Sequence, residues 1–153
     1  MGLVIRIGNA RIRPQDPMFP HYEMDVETEV LARDDSAPFT VGIWSSNEIE
    51  PRYCDWISFC GEVGIFEAFF YIDRNGDPCA YGDPGAVFLS NDILDSFKEA
   101  LETYQAKYPD VEIKDELTTD TVKTYLHYLN WLIYWSERAL KNEDIPAIGI
   151  GVE

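Results

Sequence analysis

Two rows of carboxylates are the residues whose types and spacing suggest a task. In the first, Glu23, Asp25, Glu27 and Glu29 alternate with Met24, Val26, Thr28 and Val30, the period-two pattern of a half-buried strand. Alternate residues on one strand face lie two rises apart, roughly 6.6 Å. Successive phosphates along a nucleic-acid strand are similarly spaced, about 7 Å once the sugar path is added to the ~3.4 Å axial rise. Such a row fits a basic groove that normally holds DNA or RNA. The plainer account is a solvent-facing strand whose acids pair with Arg6, Arg11 and Arg13 on a neighbouring strand. In the second row, Asp92, Asp95, Glu99 and Glu102 fall within roughly an 80° sector of a helix. They lie nearly opposite an apolar stripe of Ile93, Leu94, Phe97, Leu101, Tyr104 and Tyr108. A solvated face with Asp92 and Asp95 near the positive helix N-terminus accounts for that row on its own.

Other chemistry finds little footing. Cys54, Cys60 and Cys79 contain no CxxC pair, and His21 and His127 lie far from them in sequence, so neither a metal site nor a disulfide scaffold is expected. Cys60, among Trp56, Phe59 and Ile65, reads as a reduced, buried thiol. Asp73-Arg74-Asn75-Gly76-Asp77 superficially resembles a calcium loop. With Asp73 at position 1, however, Gly76 falls at position 4 and Pro84 at position 12, where an EF-hand needs glycine at 6 and glutamate at 12. It reads as a turn. His127 sits in the most apolar helix, as a core histidine would, and His21 follows Pro20 in a loop. There is no GxSxG, Walker A loop, GxGxxG or HExxH. An enzyme therefore ranks last among the function classes, and no cofactor is called for. Trp131 and Trp135, at i and i+4, have the spacing to stack a base, though core packing explains them equally well.

Charge sharpens the choice of partner. The chain carries 28 Asp and Glu against 12 Lys and Arg, a formal charge of −16. This disfavours direct contact with a nucleic-acid backbone or an anionic membrane and favours a basic protein. With 46% hydrophobic and 14% aromatic residues, the 153-residue chain is no disordered acidic tail. It is long enough for one domain, residues 1–153, with a sizeable core. No apolar run approaches the ~18–20 residues of a membrane helix. The first residues lack the charged region and cleavage site of a signal peptide. A reducing cytoplasm is the expected location.

The elements that must position these residues follow from periodicity. Strands are expected at 3–7, continued at 11–13 after an irregular Gly8-Asn9, then at 22–32 and at 39–44, joined as an antiparallel meander. A short helix is expected at 54–63, with Trp56, Phe59, Cys60 and Val63 on one face and Gly61 and Gly64 weakening it. The apolar run 65–72 fits a helix or a strand equally well. Residues 74–77 form a turn signal centred on Asn-Gly, and 78–84 read as irregular chain. Ser90 or Asn91 caps the helix bearing the second acidic row, which Pro109 ends. A longer helix over 119–141, capped by Thr118, Thr119 or Asp120, is apolar almost all round and so expected to be central and buried. Residues 145–152 add a short edge strand, where Pro146 is tolerated. Strands first and helices second make the class α+β: an N-terminal meander packed on two C-terminal helices.

The framework of Met1-Gly2-Leu3-x-Ile5, Trp56-x-x-Phe59-Cys60-x-x-x-Gly64, Asp83-Pro84-Gly85, Leu129-x-Trp131-Leu132-x-x-Trp135, Ala139-Leu140-x-Asn142 and Pro146 resembles small uncharacterised proteins of phages and bacteria. The resemblance spans most of the chain beyond the N-terminal strands. Its positions are aromatic residues and glycines, which report packing, so it implies a phage or mobile-element setting and no catalytic residues. The function expected is a non-enzymatic acidic binding protein of the inhibitor, immunity or anti-defence type. It would occupy the basic surface of a nucleic-acid-handling protein. The alternative is a small-molecule, nucleotide-like binder using an aromatic pocket near Trp56 or Trp131.

Overall fold

The computed structural model describes residues 2–12, 24–27, 46–80, 85–112 and 119–152. The architecture is α+β. Strand β1 (Leu3–Ile12) runs without a break, so the irregularity expected at Gly8-Asn9 is absent: both residues continue the antiparallel ladder with the C-terminal strand. Leu3, Ile5 and Ile7 point into the core and are essentially inaccessible, while Arg6 between them is exposed. β2 (Met24–Glu27) pairs antiparallel with the far half of β1, and β3 (Glu48–Ile49) with its near half, on the same edge. The rest of the expected 22–32 strand, and all of 39–44, fall outside the described residues.

The other edge of β1 corrects the expected topology. It is taken along Leu3 to Asn9 by β7 (Pro146–Val152), which pairs in turn with β6 (Gly85–Phe88). The order is β2-β1-β7-β6, all antiparallel, so the sheet joins strands from both ends of the chain and is not an N-terminal meander. The expected edge strand at 145–152 is central. Pro146 is accommodated because it is the first residue of β7, and its carbonyl still accepts from Leu89 N at 2.9 Å. Ile148 and Ile150 face the core opposite Ile7 and Ile5, which extends the apolar inner face across two strands.

Helix α1 (Tyr53–Val63) buries the predicted Trp56, Phe59, Cys60 and Val63. Gly64 does not weaken it but ends it: at φ 83°, a left-handed conformation, its amide and that of Ile65 both donate to Cys60 O. The ambiguous 65–72 run divides into a single helical turn, α2 (Phe66–Phe69), and a strand, β4 (Phe70–Ile72). Consecutive Phe69 and Phe70 are both buried, the first ending the helical turn and the second opening the strand. β4 pairs with β5 (Pro78–Ala80) through a turn at 73–77, not a two-residue hairpin. There the Asp73 carboxylate accepts from the amides of Asn75 and Asp77 (2.8 and 2.9 Å), and Gly76 takes φ 81°. Part of the stretch expected to be irregular is therefore strand, while 81–84 lie outside the described residues.

The two long helices match expectation closely. α3 (Asn91–Lys107) starts at Ser90, whose hydroxyl accepts from Ile93 N at 3.2 Å, and stops before Pro109. α4 (Thr121–Asn142) starts at Asp120, whose carboxylate accepts from Lys123 N at 2.9 Å. Its buried residues, from Leu126 through Trp131 and Trp135 to Ala139, occupy most of its circumference. α4 packs on the inner face of β1 and β7 and against α3. Trp56 and Phe59 of α1 meet α4 at Tyr128 (5.3 and 5.0 Å between ring centroids), and Phe69 stacks on Phe97 of α3 at 6.0 Å. None of the helices among the described residues is long and apolar enough to cross a membrane.

Candidate functional site: the acidic face of α3

α3 is amphipathic in the sense the sequence implies. Leu94, Phe97, Ala100 and Tyr104 are buried, and Asp92, Asp95, Glu99 and Glu102 are all exposed. Ten residues of helix place the first and last of these acids roughly 15 Å apart along the axis. Among the described residues the four carboxylates form no ion pair within 4.0 Å; the ion pairs of α3 belong to its two lysines. Lys98 Nζ lies 2.9 Å from Glu137 Oε1 on α4, and Lys107 Nζ lies 3.4 Å from Glu62 Oε1 on α1. The hydrogen bond and charge of Glu137 raise the Lys98 ammonium above its ordinary value, with a smaller push from Asp95. Both pairs are about half exposed, so they matter less for stability than for position. Lys98 is the natural i+3 neighbour of Asp95 and i−4 neighbour of Glu102, yet its first partner is on another helix. The sequence shows the acid row by periodicity but not these partners, because Glu137 and Glu62 belong to distant elements.

The first row is only partly placed. Glu23 and Glu29 lie outside the described residues. The β1–β2 register sets Asp25 opposite Arg11 and Glu27 opposite Asn9, while Arg13 lies outside the described residues. Arg6 is paired with Glu48 of β3.

Residues considered for other chemistry are built into the core. Trp56 and Trp131 are 0% and 2% exposed, and His127 is 1% exposed. Trp131 Nε1 donates to Ser46 O at 2.7 Å, and Asn47 Nδ2 donates to Ile7 O at 3.0 Å, tying α4 and β1 to the segment leading into β3. Among the described residues no three His, Cys, Asp or Glu side chains converge as metal ligands.

Burial separates the two described thiols. Cys54 and Cys60 are both free, Cys54 exposed and Cys60 buried. Loss of hydration pushes the Cys60 thiol well above its ordinary value. In the folded protein a maleimide should therefore modify Cys54, and should reach Cys60 only after denaturation. Peptide mapping checks this, and equal labelling of the two in the native state would refute it.

The tyrosines between α1, α3 and α4 behave alike. Desolvation is the main cause that pushes Tyr104 and Tyr128 up to about 12 and raises Tyr125 in the same direction. Their unfolded value is near 10.0. The folded state thus holds these protons where the unfolded state releases them. Stability should be insensitive to these groups below pH 10 and fall as pH rises from about 10 to 12. Denaturant midpoints across that range, with tyrosinate absorbance followed in parallel, would show it. Full tyrosinate absorbance near pH 10 in a chain that is still folded would contradict it.

In comparisons with protein-family models, with curated proteins and with solved structures, nothing matches the chain.

Proposed function

We propose that this chain is a non-enzymatic acidic binding protein whose α3 row engages a basic protein surface of the kind that holds nucleic acid. One observation carries the reading. Asp92, Asp95, Glu99 and Glu102 share an exposed helix face while both lysines of α3 are drawn to glutamates of other elements. The row therefore keeps its negative charge in a chain of net charge −16. Such a field speeds encounter with a basic partner and disfavours acidic ones. An inhibitor, immunity or anti-defence factor acts in this way, and the resemblance to small phage and bacterial proteins fits that setting. The acidic strand Glu23, Asp25, Glu27 and Glu29 is proposed as a second contact row of the same kind. A small-molecule pocket beside Trp56 or Trp131 lacks comparable support, since both indoles are sealed in the core.

The test is capture on the immobilised protein at low and high salt, with and without competing duplex DNA or RNA. The wild type should retain a basic protein at low salt and release it to salt or to the competing nucleic acid. The variant Asp92→Asn, Asp95→Asn, Glu99→Gln, Glu102→Gln should fold and bind that protein at least tenfold more weakly, with a flatter salt dependence. Equal affinity and equal salt slope in the two proteins would overturn the reading for α3. The matching four-Gln/Asn variant of residues 23, 25, 27 and 29 tests the strand separately.

A further inference from the structure

We draw no further inference here: the strongest candidate, the open groove along Tyr134, Glu137, Arg138, Lys141 and Asn142 on the C-terminal half of α4, carries nothing because these residues share a single helix and nothing in the structure shows what covers them.

Discussion

Replacing Trp131 by alanine is expected to lower the stability of the fold by about 3–5 kcal/mol. The indole is 2% exposed in the middle of α4, so truncation opens a cavity between that helix and the sheet. A second loss accompanies the first, because Trp131 Nε1 donates to the carbonyl of Ser46 at 2.7 Å in a buried setting. Trp131→Phe separates the two effects. It keeps much of the ring volume but leaves that carbonyl without its donor, and should cost about 1–3 kcal/mol. Urea unfolding of the three proteins measures both quantities. A Trp131→Ala midpoint indistinguishable from wild type would mean that the side chain is at the surface, and the helix would have to pack differently.

A larger effect is expected from β7. An edge strand can be lost at modest cost, but β7 lies between β1 and β6. Deleting residues 146–152 removes the partner of β1 from Leu3 to Asn9 and the described partner of β6. It also removes Ile148 and Ile150, which are 0% and 2% exposed. The truncated chain should lose its cooperative unfolding transition and its near-ultraviolet aromatic dichroism altogether. The single change Ile148→Asp should act in the same direction, since a carboxylate placed there meets Ile7 and Val87 across the two ladders and is buried without a cationic partner. A truncated protein that still unfolds in one sigmoidal step would restore β7 to the edge of the sheet.

The long helices were legible because each carried several agreeing local signals: an apolar stripe at helical period, a side-chain cap at Ser90 or Asp120, and a proline beyond the end of α3. α1 was legible from its apolar stripe alone, since no side chain caps it at Arg52 and its stop signal, Gly64, reads as a defect until its positive φ is known. Pairing was not legible. Nothing in Pro146-Ala147-Ile148-Gly149-Ile150 announces that its neighbour is β1, and the proline points to an edge. β6 was hidden by the turn-forming residues just before it. The acidic row on α3 needed only the helical period. The pairing of Lys98 with Glu137 and Lys107 with Glu62, which takes both ion pairs of α3 away from that row, depends on how α1, α3 and α4 pack.

The pairing of β1 with β7 also sets a timetable for synthesis. Asn9 leaves the ribosome 137 residues before its register partner Pro146 (146 − 9), a delay on the order of ten seconds at ordinary elongation rates. β3 can cover two residues of the opposite edge of β1 in the meantime, while the long edge from Leu3 to Asn9 waits for the last strand. Until Pro146–Val152 has been made, the stretch from Leu3 to Asn9 has no partner on that edge. An unpaired strand edge is a template for other strands, so two nascent chains side by side on one polysome can pair wrongly there.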